Sequence, residues 1–508
     1  MSSASYQQIK AKIEGYSNPF TLLKGISPGV EKPKVEKSTL EKLLEVYEKV
    51  KGEYEINFNG IIGVEDDREV VYAVEDKLKS LLSKIDYCEK DISNLVATAQ
   101  MWDLDENESL AFGAYVGSLI TILTERNEAK GKRTIIEIDE NRLNYLGHCC
   151  RKFDVVRFGV NKGRSVFRFA KDGNELYVKE CEGDRFASHA GSWGGHVDKI
   201  SADVVKGERF AVGAGLDGGG YVGEISAGSV NGNWFAADAG RFGGHVGEIS
   251  AGTVNGEKFA VEAGSFGGRV GKISAGTVNG KDFADGAGSK GGYVDEISAN
   301  IVNGKGFASN AGLENGRVGK ISAGTVNGKD FADGAGSNGG YVDEISADVV
   351  NGEWFAYRVG RLCGHVGKIR ADIVIGDEFA CYAGSDGGHV GEISAGSVNG
   401  GWFAWRAGSE GGCVGKISAG TVNGKEFAWY AGSKGGYVDE ISADIVNEDR
   451  FAEFARDAGS DSGYVGIINV REISEKAKAT INLKTRIKTK IGNWLERLKN
   501  ELCKLPAD

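Results

Sequence analysis

A column of residues that could carry chemistry recurs along the chain, each between a glycine and a valine; we name it the Gly-x-Val column. Its members are His196, Tyr221, His245, Arg269, Tyr293, Arg317, Tyr341, His365, His389, Cys413, Tyr437 and Tyr464. Imidazole and thiolate are common metal ligands, so a metal site at His365 and His389, with Cys413 one repeat further, is one hypothesis. Another is that the column binds an extended polymer. The alternative without a site is a stacked polar-aromatic ladder beside a turn.

Tryptophans that we expect to be exposed offer a second way to bind a polymer such as a polysaccharide. They are Trp234, Trp354, Trp402, Trp405 and Trp429. An enzyme acting on such a polymer would also need an acid and a base at a fixed distance. No pairing of a nucleophile with a base can be located, so we expect no catalytic residue and no cofactor.

Two other motifs resemble metal sites, but each lacks part of the pattern that such a site needs. His148, Cys149 and Cys150 adjoin in the sequence, but no second ligand pair accompanies them, and buried thiols are commoner than reactive ones. The stretch DLDENES from Asp103 imitates the start of a calcium loop, yet it lacks the Gly at the sixth position and the Glu at the twelfth.

The elements that position these residues follow from an internal repeat. A Phe-Ala dipeptide occurs twelve times, from Phe186 to Phe451, at a spacing of 24 residues with one gap of 25. The consensus is G-G-x-V-G-x-I-S-A-G-x-V-N-G-x-x-F-A-x-x-A-G-S-x, in which short alternating pieces favour strands and Asn-Gly favours turns. Because such a unit cannot bury its own apolar residues, it must stack on its neighbours. The sequence therefore predicts an α+β protein with a parallel β-solenoid of about twelve coils, rising about 58 Å.

A charge ladder supports the stacking. The residue before the Ile of each Ile-Ser-Ala alternates in sign through Glu248, Lys272, Glu296, Lys320, Glu344, Lys368, Glu392, Lys416 and Glu440. In a parallel stack these side chains lie one layer apart, where opposite charges attract, so the ladder favours correct register. It also explains why the near-identical stretches 269–299 and 317–347 are two coils apart.

The flanks divide the chain into further parts. The predicted domains are 1–133, helical; 134–180, a strand-rich lead-in; 181–467, the solenoid; and 468–508, a basic amphipathic C-terminal cap. From Val71 to Ala99 the apolar positions step by three and four, which predicts one long amphipathic helix whose seam contacts a partner helix. Ser38 and Glu41 predict a capping box at an earlier helix. In 468–508, a contact with a membrane or nucleic acid is the alternative to a cap.

Composition limits the function classes. The net charge of -11 argues against a nucleic-acid footprint over most of the surface, and no nucleic-acid partner is expected. The eight cysteines show no CxxC spacing, the N-terminus lacks an apolar signal core, and no apolar run is long enough to span a bilayer. A cytoplasmic protein is the expectation.

The repeats also resemble a known family. At GERFAVGAG from Gly207, GEKFAVEAG from Gly256 and GKDFADGAG from Gly280, the chain resembles the G-x-G-x-G domain. That domain ends the large subunit of glutamate synthase and forms a subunit of formylmethanofuran dehydrogenase. The resemblance covers about residues 135 to 465 and implies a right-handed parallel β-helix with a structural role. No amidotransferase, flavin or iron-sulfur motif accompanies the repeats, so no activity or functional residue is carried over.

Uniform coils without a unique polar cluster predict a non-enzymatic scaffold or self-assembling interaction protein. Its partners would bind the helical seam from Val71 to Ala99 or a face of the solenoid. The alternatives are a binder or enzyme acting on an extended polymer, or an accessory subunit of a larger enzyme complex.

Overall fold

The structure, a computed structural model, describes residues 37–54, 64–447 and 454–473 of the 508. In this part, the helices α1 Thr39–Val50, α2 Val64–Leu82, α3 Glu89–Ala99 and α4 Glu106–Glu128 precede the strands, with a 3₁₀ turn at Lys51–Glu53. The strands are β1 Ile135–Asn141, β2 Lys152–Asn161, β3 Asp172–Cys181, β4 His196–Val205, β5 Tyr221–Val230, β6 His245–Val254, β7 Arg269–Val278, β8 Tyr293–Val302, β9 Arg317–Val326, β10 Tyr341–Val350, β11 His365–Val374, β12 His389–Val398, β13 Cys413–Val422, β14 Tyr437–Val446 and β15 Tyr464–Ile473.

All fifteen strands form one parallel sheet in chain order, which confirms the parallel β-solenoid. Paired residues are 20 positions apart from β1 to β3 and 24 apart in most later coils, with 25 between β4 and β5 and 27 between β14 and β15. Counting only 24-residue repeats therefore gave too few coils. Residues 134–180 are the first layers of the same sheet, because their coils keep the strand and shorten the turn half.

The spacing of buried residues shows where each strand bends around the core. In β7, Val270, Ile273, Ala275 and Val278 are buried, and the steps of three, two and three leave two adjacent outward residues at each of two bends. Gly280 follows at a corner where coils approach closely, since a Cβ there would meet the carbonyl oxygen of Gly256 at 1.8 Å. A larger residue at this corner would force neighbouring coils apart.

A stack of phenylalanine rings fills the core on the turn side. Neighbouring rings from Phe259 to Phe427 lie 4.7 to 4.9 Å apart and within 4° of parallel. Phe454 continues the stack, 4.9 Å from Phe427. The spacing of 24 had assigned this place to Phe451, which lies outside the described residues. The stack follows F-A-x-x-A-G-S, which is found at Phe454, because the coil before it is three residues longer.

The predicted long helix from Val71 to Ala99 is wrong. α2 ends at Leu82, and α3 begins after Cys88, whose backbone N–H and thiol bond the Asp91 carboxylate in a capping box. The three-four pattern continues across the break because both helices turn their apolar residues to one core. Of the seam, Val71, Val74, Leu78, Ile92, Leu95 and Ala99 are buried there, whereas Leu81 and Ile85 are half-buried and Cys88 is exposed. Binding of a partner at the seam stays a prediction. The capping box of Ser38 and Glu41 is present at α1.

The helices cover the first edge of the sheet. Ser93 of α3 donates a hydrogen bond to the carbonyl of Glu137 at 2.7 Å, and Gln100 donates to that of Glu140 at 2.6 Å. α4 packs closely on the first coil at Gly113, where a Cβ would meet the Tyr145 carbonyl oxygen at 2.0 Å. The first edge of the sheet is therefore closed by helices.

At the other end, β15 crosses the predicted boundary at residue 467 and continues to Ile473, because Val465, Ile468 and Val470 pair in register with β14. The predictions for 474–508 lie outside the described residues. Among the described residues, no helix combines the length and apolarity needed to cross a bilayer.

Candidate functional site

The Gly-x-Val column begins each strand from β4 to β15, and its side chains stack on one another. Rings lie 4.5 Å apart at His196 and Tyr221, and 4.6 Å apart at Tyr341 and His365. Between such pairs, arginines take the place of a ring; the guanidinium of Arg317 lies 4.9 Å from the Tyr341 ring centre. Since the ring faces are occupied by neighbours, the column offers mainly edges to a ligand.

His365 and His389, the candidate metal ligands, are two members of this stack. Their rings lie 4.8 Å apart and 11° from parallel, so the nitrogen lone pairs point side by side. Two nitrogens on one zinc are at most about 4.2 Å apart, because each lies about 2.1 Å from the metal. Burial and the neighbouring His389 lower the pKa of His365 to about 4. Within the described residues no group of three or more His, Cys, Asp or Glu side chains could hold a metal ion, and the geometry favours a ladder.

The charge ladder lies in register along the outer face. Glu248, Lys272, Glu296, Lys320, Glu344, Lys368, Glu392, Lys416 and Glu440 pair one to one across successive strands. Ion pairs join lysines to the next coil: Lys272 to Glu296 at 3.7 Å, Lys320 to Glu344 at 3.5 Å and Lys416 to Glu440 at 3.4 Å. A groove of about 780 Å³ runs beside the ladder. Because both signs of charge alternate along it, the groove does not present a uniformly charged surface to a polymer of one charge.

The turn half of each coil presents its side chains from an unusual backbone. Trp402, Ala404 and Arg406 all have φ of +54°. The N–H groups of Trp402 and Arg406 bond carbonyls of the following coil, while that of Ala404 bonds Phe379 of the preceding coil. Bonds in both directions tie this half to the preceding and following coils, so residues on its outer side hold defined positions.

An aromatic-arginine patch occupies this outer side in the coils between β10 and β15. It consists of Trp354, Tyr357, Arg358, Tyr382, Trp402, Trp405, Arg406, Trp429, Tyr430 and Arg456. The rings of Tyr382 and Trp405 meet edge to face at 5.0 Å, and Tyr357 meets Tyr382 in the same way at 5.7 Å. Trp402 lies 6.3 Å from Trp405 and is 43 % exposed. The patch is thus one connected surface across several coils.

Arginines fix the rings of the patch. The guanidinium of Arg406 lies 4.7 Å from the centre of the Trp405 ring and 5.7 Å from those of Tyr382 and Tyr430. Arg358 lies over Tyr357 at 4.7 Å, bonding Asp333 of the preceding coil at 3.0 Å. Such contacts are worth about 0.5 to 1 kcal/mol each at exposed sites, so they order the patch more than they stabilise the fold.

Most earlier coils lack this surface, although a smaller cluster forms where Arg241 lies 4.6 and 4.3 Å from the rings of Phe242 and Phe266. Directly after Phe-Ala, where the patch has Tyr357, Trp405 and Trp429, earlier coils carry Val261, Asp285, Ser309 and Asp333. Four of the five tryptophans singled out from the sequence come together in the patch. The fifth, Trp234, lies several coils away with the Lys258 ammonium 3.9 Å over its ring. The tyrosines and arginines of the patch were missed, although aligning the repeats on Phe-Ala would have shown the change of residue type.

The chain was compared with family models, with curated proteins and with solved structures, and none of the three comparisons gave a match.

Proposed function

We propose that this protein is a non-enzymatic interaction scaffold of the cytoplasm that binds a protein partner through the aromatic-arginine patch. The observation that supports this is the confinement of ten large aromatic and arginine side chains to one face of a few coils. Most of the remaining coils carry ladders of matched side chains, and the cluster of Arg241, Phe242 and Phe266 is a smaller departure from them. A large departure from the repeat is expected where the surface serves something other than stacking.

The chemistry of the patch favours a protein partner. Trp, Tyr and Arg are the residues that most often dominate binding energy at protein interfaces. Ordered side chains also lose little conformational entropy on binding, and the rings here are fixed by edge-to-face contacts and by arginines. The same arginines cover ring faces that a sugar would need for stacking, which makes a polysaccharide the less favoured ligand.

Three further predictions about the protein's function and fold stay open beside this proposal. An accessory subunit of an enzyme complex would use the same patch, but its partner would be catalytic. The resemblance to the G-x-G-x-G domain and the right-handed winding that it implies stay predictions. Self-association through the patch is a special case of the proposal in which the partner is a second copy.

Affinity capture with paired variants tests the proposal. Trp402→Ala removes an exposed ring of the patch, and Trp234→Ala is its matched control, since both residues stand directly before a Phe-Ala. A protein recovered stoichiometrically by the wild type and by Trp234→Ala should be depleted at least tenfold with Trp402→Ala, as expected for a residue worth about 1.4 kcal/mol. Equal recovery of every captured protein by both variants would contradict the proposal. A glycan array that the wild type binds and Trp402→Ala does not would also contradict it, because the patch would then be a polysaccharide site.

A further inference from the structure

Among the strands that the structure describes, the last one leaves an open edge. Within the described residues, β15 has a strand neighbour on one side only, namely β14. An unpaired parallel edge exposes a row of backbone N–H and C=O groups that readily pair with another chain. The first edge of the same sheet is covered by α3, so the two ends of the described solenoid are treated differently.

Two isoleucines at this edge break the pattern of the earlier coils. Ile467 pairs with Glu440 and stands where the charge ladder elsewhere has Glu or Lys, and it is 60 % exposed. Ile468 belongs to the core column of isoleucines; it is 40 % exposed, whereas Ile441 in the coil before is fully buried. An apolar residue in place of a ladder charge is expected only where something covers it.

The chain itself supplies a complementary segment. Residues 474–508 follow directly after Ile473, the last residue of β15, and they contain nine Lys or Arg against four Asp or Glu. Residues 437–473, which include β14 and β15, contain nine Asp or Glu against three Arg. The segment also carries eight Ile, Leu and Trp between 481 and 502. The basic charge of residues 474–508 is thus complementary to the acidic last coils, and their apolar side chains could cover the exposed isoleucines.

We propose that residues 474–508 cover the β15 edge of their own chain, with apolar side chains on Ile467 and Ile468 and with basic side chains beside the acidic last coils. The tether favours this occupant over a second copy, because a short link gives a local concentration on the order of millimolar. Coverage closes the second end and prevents end-to-end association through β15. The inference is independent of the aromatic-arginine patch.

A photo-crosslinker in the full-length chain tests the proposal. p-Benzoylphenylalanine is placed at position 467, and at position 375 as a control, since Ile375 is 52 % exposed but lies several coils from the edge. Mixing ¹⁴N- and ¹⁵N-labelled protein before irradiation separates contacts within one chain from contacts between two. We expect position 467 to crosslink to peptides of 474–508 in single-isotope pairs only.

Two outcomes overturn the proposal. Mixed-isotope pairs as the main product would make a second copy the occupant, and a yield at position 467 no higher than at 375 would leave the edge uncovered. Hydrogen exchange gives an independent readout. Amides of Tyr464–Ile473 should exchange faster, on the order of tenfold, in a chain ending at Ile473 than in the full chain, and equal rates would also contradict the proposal.

Discussion

The guanidinium of Arg406 lies 4.7 Å over the ring of Trp405, its neighbour in sequence, while the backbone beneath bonds both adjacent coils. Arg406 has a φ of +54° and its side chain is partly exposed on the outer side of the turn, whereas Ala404, at the same φ, is buried. The relationship links the regular solenoid to the aromatic-arginine patch upon it. The turn half of these coils therefore presents the rings and guanidinium groups of the patch in fixed positions.

Removing this guanidinium should weaken partner binding without unfolding the protein. We expect Arg406→Ala to raise the Kd for the captured partner about tenfold, since it removes contacts to three rings of an interface rich in hot-spot residue types. Arg370→Ala is the control, because Arg370 is also exposed but lies on a strand beside the charge ladder rather than in the turn half that carries the patch. Binding by calorimetry and unfolding by urea separate the two effects. An unchanged Kd would remove Arg406 from the interface.

Reversing one charge of the ladder should disturb register in a salt-dependent manner. Lys320→Glu places a third like charge between Glu296 and Glu344 and should lower the free energy of unfolding by about 0.5 to 1 kcal/mol at low salt. Most of this loss should disappear in 1 M salt, where the Debye length is about 3 Å. Lys320→Gln, which adds no repulsion, should cost less. A loss that does not change with salt would mean that the ladder acts through packing.

The buried carboxyl of Glu75 should make stability fall as pH rises. Burial raises its pKa from 4.5 to about 7, and Arg151, 3.5 Å away, offsets only part of that effect. Below pH 4.5 the group is protonated in both states. Between 4.5 and 7 the unfolded chain ionises first, so stability declines, by about 3 kcal/mol at the full shift.

Glu75→Gln should flatten the pH dependence of the urea midpoint between pH 5 and 8. The neighbouring Asp76→Asn is the matched control, because the Asp76 side chain is 69 % exposed and should contribute little to that dependence. The same slope in Glu75→Gln and in the wild type would show that the carboxyl is already ionised in the folded protein.

Truncating one ring of the phenylalanine stack should open a cavity. Phe307 is buried between Phe283 and Phe331 at 4.8 and 4.9 Å, so Phe307→Ala should cost about 3 to 5 kcal/mol. Phe242→Ala, at a ring that is 41 % exposed, should cost less than about 1 kcal/mol. Urea denaturation followed by circular dichroism measures both. Equal losses would contradict the assignment of the stack as core.

Periodic features of this protein could be predicted from the sequence. The parallel stacking followed from the 24-residue repeat and was supported by the alternation of Glu and Lys, because an in-register stack brings those positions together. The strands pair in that register. Features that depend on a break in the period could not be predicted from the sequence. Phe454 replaced the expected Phe451 because a longer coil shifts the phase, and the helix break before Cys88 left the apolar spacing unchanged.

The candidate site could be predicted from the sequence in part. Each tryptophan was visible in the sequence, but their assembly depended on the turn half, where alternate left-handed residues bring positions of successive coils into columns. No local pattern in one repeat indicates such a column. Comparing the same position across repeats does, which is how Tyr382 and Arg406 could have been found.

Footprinting of the native complex tests the central claim most directly. Hydroxyl radicals oxidise exposed indoles, so Trp402, Trp405 and Trp429 report on the aromatic-arginine patch, and Trp234 reports on the same kind of coil outside it. We predict that the three patch tryptophans are oxidised several-fold more slowly in the complex than in the isolated protein, while Trp234 is unchanged. Equal oxidation of the patch in both samples would contradict the account.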